Sequence, residues 1–381
     1  MEIMDLTGTA YERGLAQGTP NKEPYREMLD RFFSSEMWKD NKPKFLPTSL
    51  IKVALGFLGS SYTGKAVNTY MPVQAEKVRG LGDGLAAGAR FIWGIQFMEI
   101  MFCEAGSSLV APQLGCTQVH ATPQATRDSI PLSGRNYDFP NLLRDYQIVR
   151  REKPSESDRL ATISVSQVPL AGPHQGMNEA GLMICANNSR QWKGDDFHYP
   201  GVPYQMMIME MLETCRSVKE ASEFALNFPA RANAGFFGMM DESGDCCVVE
   251  FTASRAKIRR PNDRGVIAQT NHFHSMTDAN LPKGTYWNVK GMEGLLYETS
   301  TEKRFEAADR LLNEAAGDIT IDTLKKILSD HSGNDGTGND NTVCCHGDTG
   351  STLASMIFDI RKRKMYIAEG NPCSGSYMGI P

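Results

Sequence analysis

The spacing of apolar residues changes near position 115 of the chain. Before that point, apolar residues recur every three or four positions, as in amphipathic helices, in the segments AYERGLAQG, KEPYREMLDRFFSSEMW, VQAEKVRGLGDGLAAGA and RFIWGIQFMEIMFCEAG. A further run, SLIKVALGFLG at 49–59, is strongly apolar but too short to cross a bilayer, and it contains Lys52. It predicts a packed or interfacial helix in preference to a membrane anchor. Residues 1–115 are therefore predicted to be mainly helical.

From residue 116 onward, short runs rich in β-branched and aromatic residues alternate with turn-forming residues. These runs predict strands in IPLSGRNYDF, LATISVSQVP, GLMICANN, GFFGMMD, CCVVEFTAS, AKIRRP, GVIAQTNH, LASMIFDIR and KMYIAEG. Two helical blocks interrupt them at 203–228 and 300–331, and SGNDGTGNDN at 332–341 predicts a loop. Strands, then helices, then strands indicate a layered sandwich with largely antiparallel sheets.

The composition is that of an ordinary globular protein, with 41% hydrophobic and 22% charged residues among 381. A net charge of −5 without a cluster of Lys and Arg gives no reason to expect a nucleic-acid partner. The nine cysteines are odd in number and lack the spacing of a small disulfide framework, which favours reduced thiols. The N-terminal residues show no secretory signal pattern. Together these features predict a cytoplasmic protein.

Cys116 follows a glycine at the point where the pattern changes, and no Cys-His-Asn protease signature surrounds it. An N-terminal cysteine needs no histidine, because its own α-amine, with an ordinary pKa of about 7.7–8.0, can serve as general base. Cleavage of the Gly115–Cys116 bond would create such a terminus. The thiol would attack the Gly115 carbonyl, the acyl group would shift from nitrogen to sulfur, and water would hydrolyse the thioester. The competing interpretation is that Cys116 is a buried structural thiol.

The other motifs that suggest a metal or a cofactor are weaker. CCHGD at 344–348 contains two cysteines and a histidine, but adjacent cysteines are poorly spaced for one tetrahedral zinc. No second CxxC or HxxxH pair accompanies them, so a core or loop segment is predicted. GLGDGLAAG has Leu85 where a dinucleotide-binding fingerprint requires glycine. The sequence therefore predicts no metal and no cofactor.

Seven segments of the chain, taken in order, resemble one family. They are GTAYERGLAQG, GCT, GRNYDF, GMNEAGLMICANN, QTNHF, EKRFEAADRLL and the C-terminal series LSDHSG, VCCHGD and STLASMIFDIRKRKMYIAEGNPC. The family is the cysteine branch of the N-terminal-nucleophile (Ntn) hydrolases, which includes choloylglycine hydrolases, penicillin V acylase and acid ceramidase. Within it, the chain is most similar to the acyl-coenzyme A:6-aminopenicillanic acid acyltransferase group, peptidase family C45. This resemblance implies a four-layer αββα sandwich with two mainly antiparallel sheets.

The resemblance also implies a division of the chain and roles for residues near the junction. Residues 1–115 would become an α-chain and residues 116–381 a β-chain with Cys116 as its N-terminal nucleophile. Arg135 matches an arginine beside the thiol, and Asp138 matches the aspartate that holds the new α-amine. Side chains three positions apart on a strand lie on opposite faces, so this pair requires a bend or a bulge. The alternative for both residues is a surface ion pair.

Three later residues match the rest of the family's site. Asn188 corresponds to a residue whose backbone amide contributes to an oxyanion hole, with Asn187 as the alternative if the alignment slips by one residue. Asn271 matches the side-chain donor to the oxyanion, and Arg304 matches an arginine that braces the site. The alternative interpretations are turn chemistry for Asn271 and a solvated helix face for Arg304.

The function implied is that of a self-processing amidohydrolase. It would cleave the amide bond of an N-acylated amine or amino acid through an S-acyl-cysteine intermediate. If an amine replaced water, the protein would be an acyltransferase with acyl-coenzyme A or an N-acyl compound as donor. An uncleaved, non-catalytic binding protein on the same fold is the third alternative. The expected binding partner is a small N-acyl substrate, and after cleavage the α-chain and the β-chain are expected to stay associated. A homo-oligomer is left open.

Overall fold

The described residues before position 105 form one strand and seven α-helices. The computed structural model describes residues 1–42, 44–104, 115–189, 196–281, 298–332, 336–347 and 350–381. The elements before residue 105 are β1 Glu2–Gly8, α1 Ala10–Gly18, α2 Lys22–Ser34, α3 Glu36–Asn41, α4 Thr48–Gly59, α5 Lys65–Tyr70, α6 Pro72–Gly84 and α7 Ala89–Glu104. The predicted helical segments are thus confirmed as far as residue 104, and the part of the prediction that covers 105–114 lies outside the described residues. Strand β1 was not predicted.

The rest of the chain alternates strands with two pairs of helices. Its strands are β2 Thr117–Ala121, β3 Leu132–Pro140, β4 Gln147–Pro154, β5 Thr162–Gln167, β6 Gln175–Asn178, β7 Met183–Asn188, β8 Gly235–Met240, β9 Cys246–Phe251, β10 Ala256–Arg259, β11 Val266–Gln269, β12 Gly350–Asp359, β13 Lys364–Glu369 and β14 Met378–Ile380. Its helices are α8 Tyr204–Thr214, α9 Val218–Asn227, α10 Glu298–Ala315 and α11 Ile321–Leu328. All nine predicted strands are confirmed. Strands β2, β4, β6 and β14 were missed, because they are short or contain polar residues whose burial depends on distant partners.

The strands form two sheets, and nearly all of the pairings are antiparallel. One sheet has eight strands in the order β1-β4-β5-β6-β7-β8-β9-β10, and the other has six in the order β11-β2-β3-β12-β13-β14. The pairing of β1 with β4 is parallel. Alternate residues of a strand point to opposite faces of its sheet, so each sheet can pack on both sides.

The two sheets pack face to face, with helices on both outer surfaces. Helices α10 and α11 cover the six-stranded sheet, where Ala308, Leu312 and Leu324 join Val119 and Ile357 in one buried cluster. Helices α8 and α9 cover the eight-stranded sheet, and their buried residues belong to a second, larger cluster that also fills the space between the sheets. This arrangement confirms the predicted α+β sandwich of four layers.

The N-terminal segment is built into this sandwich through a buried ionic network. Lys77 Nζ in α6 donates to both oxygens of Glu152 in β4, at 2.6 and 2.5 Å. Arg13 in α1 donates to Glu152 Oε2 at 3.2 Å and to Glu213 Oε1 in α8 at 2.8 Å. Burial alone would raise the pKa of Glu152, but Lys77 and Arg150 outweigh it and lower that pKa to about 2. Glu152 therefore joins residues 1–104 to the core of the sheet.

Substitution of Glu152 by Gln is expected to destabilise the folded chain by about 3–5 kcal/mol, because it leaves buried cations without their partner. Urea unfolding at neutral pH would measure this loss. Since folding lowers the pKa of Glu152, its contribution is present above the ordinary value of 4.5 and is lost as the pH falls toward about 2. The matched control is Glu23→Gln, which alters an exposed pair with Arg26 and is expected to cost less than about 1 kcal/mol. Equal urea midpoints for the two variants would contradict this role.

Helix α4 is packed on one side and exposed on the other. Backbone atoms of Trp93 and Gly94 in α7 lie where a Cβ at Gly59 would be placed, so the two helices approach closely. On the opposite face, Val53 is 70% and Phe57 is 63% exposed. This confirms a packed helix with an apolar outer face. Among the described residues, none of the helices combines the length and the apolar character that crossing a membrane requires.

Candidate active site

Cys116 lies directly before β2, at the end of the space between the two sheets. The residue is 5% exposed, and its Sγ is 3.1 Å from Arg135 Nη2 and 3.9 Å from the carbonyl oxygen of Asp138. Burial raises the pKa of the Cys116 thiol, while the charge of Arg135 acts in the opposite direction. Cys116 is thus buried, as a structural thiol would be, but it is also in contact with a buried cation.

Arg135 extends from β3 toward the eight-stranded sheet and is 1% exposed. Its guanidinium donates to Gln175 Oε1, to Ala186 O at 2.5 Å and to Asn187 Oδ1 at 3.3 Å. These three acceptors are neutral, so they orient the guanidinium without cancelling its charge. The alternative of a surface ion pair is wrong for Arg135. A positive charge fixed beside the sulfur favours the thiolate over the thiol.

Asp138 is a buried carboxyl group with an unused oxygen. Its Oδ1 accepts a hydrogen bond of 2.7 Å from Thr352 Oγ1 in β12. Its Oδ2 is buried without a hydrogen-bond partner among the described residues. Burial raises the pKa of Asp138 to about 7, against the opposing effect of Arg304. The surface alternative is therefore wrong for Asp138 as well, and Oδ2 can accept one further donor.

The bend or bulge predicted near Arg135 and Asp138 is found in β12, the strand that pairs with β3. The β3–β12 register shifts between Thr352 and Ala354, which pair with Asp138 and Tyr137. Within β3, alternation places Arg135 toward the eight-stranded sheet and Asp138 toward the helices that cover the six-stranded sheet. Cys116 lies at the end of the neighbouring strand, where its Sγ contacts the Arg135 side chain and the carbonyl oxygen of Asp138.

Three asparagines surround Cys116 on the side of β7 and β11. Asn271 Nδ2 donates to Asn188 O at 2.8 Å and to Asn188 Oδ1 at 3.1 Å. Asn187 Nδ2 donates to Cys116 O at 3.1 Å, and it also reaches the carbonyl oxygens of Gln269 and Thr270. The neighbour named as the alternative, Asn187, therefore contacts Cys116 directly, whereas Asn188 contacts Asn271.

Arg304 lies on the buried face of α10 and is 2% exposed, so the solvated-face alternative is wrong. Its Nη1 donates to Cys116 O at 2.9 Å, and its Nη2 donates to Asn271 Oδ1 at 2.9 Å. A Cβ placed on Gly115 would overlap this guanidinium and would lie 2.7 Å from Asn271 Oδ1. Glycine at position 115 thus allows the peptide bond before Cys116 to pack against both side chains.

The structure brings all seven predicted site residues into one buried cluster. Two guanidinium groups and one carboxyl group surround a single thiol, so the local charge favours anions. Sequence reasoning missed the residues that hold these groups, namely Gln175, Thr352, Thr117 and Ser300. They are ordinary polar residues in separate elements. The only signal in the sequence is that some of them interrupt otherwise apolar strands.

Comparison with known proteins gives a match to one family and several more distant similarities. The family described as acyl-coenzyme A:6-aminopenicillanic acid acyl-transferase matches residues 125–374, a range that begins after Cys116. Two proteins of Dictyostelium discoideum, dcd1A and dcd1B, are each 26% identical, over 60% and 68% of this chain and 53% and 52% of their own lengths. The chain therefore spans about half the length of these curated relatives.

Two solved structures resemble the fold weakly. An N-acylethanolamine-hydrolyzing acid amidase ortholog of Caenorhabditis elegans aligns with a TM-score of 0.43 and 12% identity, covering 65% of this chain and 93% of that chain. Penicillin V acylase of Agrobacterium tumefaciens aligns with a TM-score of 0.44 and 15% identity, covering 70% of this chain and 86% of that chain.

Proposed function

Because this chain belongs to the acyl-coenzyme A:6-aminopenicillanic acid acyl-transferase family, we propose that it is a self-processing amidohydrolase with Cys116 as its N-terminal nucleophile. It would cleave the amide bond of an N-acylated amine or amino acid. The observation that carries this proposal is the 3.1 Å contact between Cys116 Sγ and the buried Arg135. A thiol that served packing alone would not require a buried guanidinium at this distance.

Maturation begins with addition of the Cys116 thiol to the carbonyl carbon of Gly115. The Gly115–Cys116 C–N bond then breaks, the proton lost by the thiol passes to the nitrogen, which becomes the new α-amine, and a thioester forms. Water then hydrolyses the thioester, leaving a Gly115 carboxylate and a free Cys116 thiol. The new α-amine can donate to Asp138 Oδ2, the buried oxygen that has no partner among the described residues.

In turnover, the Cys116 thiol attacks the carbonyl carbon of the substrate while the α-amine accepts the proton and passes it to the leaving amine. Asn271 and the backbone amide of Asn188 would stabilise the oxyanion, and Arg304 would hold Asn271 by its Oδ1. The product of this step is an S-acyl-cysteine, which water hydrolyses. None of these steps requires a cofactor.

After cleavage, residues 1–115 and 116–381 would remain associated as two chains. The pairing of β1 with β4 and the buried contacts of Arg13 and Lys77 with Glu152 support this association. Separation of the chains would expose these charges and an edge of the eight-stranded sheet.

A second candidate function is acyl transfer, and the description of the family favours it. Water and an amine compete for the same S-acyl intermediate, so an amine that binds in place of water would receive the acyl group. Acyl-coenzyme A or an N-acyl compound would then serve as donor.

A panel of N-acyl amides, with and without a competing amine, tests both functions. Mass spectrometry of the acid-quenched protein should find the acyl group on the peptide that starts at Cys116, and Cys116→Ala should carry none. A free acid with every substrate and no amine-exchange product would rule out the transferase. Binding of an N-acyl amide to a chain that stays intact and forms no adduct would instead support the binding-protein alternative.

A further inference from the structure

A second cluster of reactive side chains lies outside the candidate active site. Its ligand atoms all lie within 4.8 Å of one another, and its members are His331, Cys344, His346 and Cys373. They come from three segments: the end of the α11 region, the loop before β12 and the turn after β13. Cys345, the neighbour of Cys344, instead approaches Gly350 O at 3.8 Å.

The contacts around His346 Nε2 are too many for hydrogen bonding. This nitrogen lies 3.2 Å from His331 Nε2, 3.3 Å from Cys344 Sγ and 3.3 Å from Cys373 Sγ. An imidazole nitrogen carries either one hydrogen or one lone pair, so it can form one good hydrogen bond. Ligand atoms that bind one metal ion also lie at nearly equal distances from one another. The three neighbours of His346 Nε2 are arranged in this way.

We propose that this cluster binds one structural Zn²⁺ ion. In a tetrahedral zinc site, bond lengths of about 2.0–2.1 Å to nitrogen and about 2.3 Å to sulfur place neighbouring ligand atoms roughly 3.3–3.8 Å apart. Two of the three distances around His346 Nε2, 3.3 Å to each sulfur, lie at the short end of that interval, and the third, 3.2 Å to His331 Nε2, lies just below it. In a two-iron cluster, one iron would bind the two cysteines and the other iron the two histidines. The contacts of His346 Nε2 with both sulfur atoms exclude that arrangement.

The charges and the surroundings also suit Zn²⁺. On binding, the two thiols lose their protons to solvent, so two thiolates and two neutral imidazoles balance the charge of the ion. Asn371 Nδ2 lies 3.7 Å from Cys344 Sγ and also donates to Cys345 O, which is the support that metal ligands commonly receive from surrounding residues. Four protein ligands leave no open position, so the site is structural.

The proposed zinc site is connected to Asp138 through a short series of hydrogen bonds. The backbone N–H of Cys345 donates to Thr352 Oγ1 at 3.0 Å, and Thr352 Oγ1 donates to Asp138 Oδ1 at 2.7 Å. The zinc ion would hold the loop that contains Cys345 against β12, and thereby hold Thr352 in place. The motif at 344–348 predicts no metal by itself, because the other two members of the cluster, His331 and Cys373, lie outside it in the chain.

Metal analysis of the full chain, purified without chelators in the presence of zinc, tests this proposal. About one zinc ion per chain is expected, and cobalt-loaded protein should show thiolate-to-cobalt charge transfer and the intense visible bands of a tetrahedral site. Cys373→Ser and His331→Asn should each weaken zinc binding by more than about tenfold. A strong chelator should lower the melting temperature of the zinc-loaded wild type, and it should lower that of Cys373→Ser by less.

Cys215→Ser and His198→Asn are the matched controls, because both residues lie outside the cluster, and both variants should keep their zinc. A metal-free wild type, or a zinc affinity that is unchanged in both cluster variants, would overturn the proposal. A chain lighter by two hydrogens, with Cys344 and Cys373 joined in one peptide pair, would replace the zinc site with a disulfide. Zinc content and melting temperature can also be measured on Cys116→Ala, which has no nucleophile. Failure of the proposed function would therefore not change the result for the zinc site.

Discussion

Substitution of Cys116 by Ala should leave the protein as one full-length chain. The wild type should instead be cleaved at the Gly115–Cys116 bond and give two fragments. The substitution removes the sulfur atom that is proposed to attack the Gly115 carbonyl, so no slow residual cleavage is expected. Intact mass spectrometry under denaturing conditions measures both species directly. A wild type that stays whole after long incubation, and that also resists a thiol-directed acyl probe, would contradict self-processing.

Gly115→Ala tests the same step while keeping the nucleophile. A Cβ at this position would overlap the guanidinium of Arg304 and would lie 2.7 Å from Asn271 Oδ1. The peptide bond would have to move, and a displacement of about 1 Å from the reactive geometry can slow a reaction by about 10²-fold. Gly56→Ala is the control, since its Cβ would meet Arg90 Cγ at an ordinary distance of 3.4 Å, and it should mature at the wild-type rate. Equal maturation rates for both glycine variants would contradict the steric argument.

Substitution of Arg135 by Gln should slow acylation of Cys116 by about 10- to 1,000-fold near neutral pH. An opposite charge at this distance lowers a pKa by about 1–3 units, and Arg135 is the largest influence that opposes the effect of burial on the Cys116 thiol. Without it, the pKa of the thiol rises and less thiolate is present. The acid side of the pH–rate profile should therefore move to higher pH, and the rates of the two proteins should converge in alkaline solution.

Arg135→Lys separates the charge from the packing. Lysine keeps a cation near the sulfur but cannot donate to Gln175, Ala186 and Asn187 together, as the guanidinium does. Its pH–rate profile should lie closer to that of the wild type than the profile of Arg135→Gln does. Acylation by a small thioester in stopped-flow experiments gives these profiles, and urea unfolding checks that both variants are folded. A loss of rate that is the same at every pH would assign Arg135 a purely structural role.

The family motifs located the candidate site, although the evidence for each residue was local. GCT and GRNYD pointed to Cys116, Arg135 and Asp138, and these three lie together because β2 and β3 are neighbouring strands. Asn188 and Asn187 could not be told apart, since adjacent residues of a strand point to opposite faces and only the facing sheet shows which one meets Cys116. For Arg304, a solvated helix face stayed open as the alternative to a role in the site, because burial of α10 depends on the sheet that it covers.

By itself, the sequence determined the helical segments before residue 105, nine of the strands and the family. These features depend on periodicity and on short motifs, which act over a few residues. Only the tertiary structure decided which side chains hold Arg135 and Asp138, and that His331 and Cys373 meet His346 and Cys344. Such contacts join positions far apart in the chain. Their partners are set by strand order and by the packing of the two sheets, which no local pattern records.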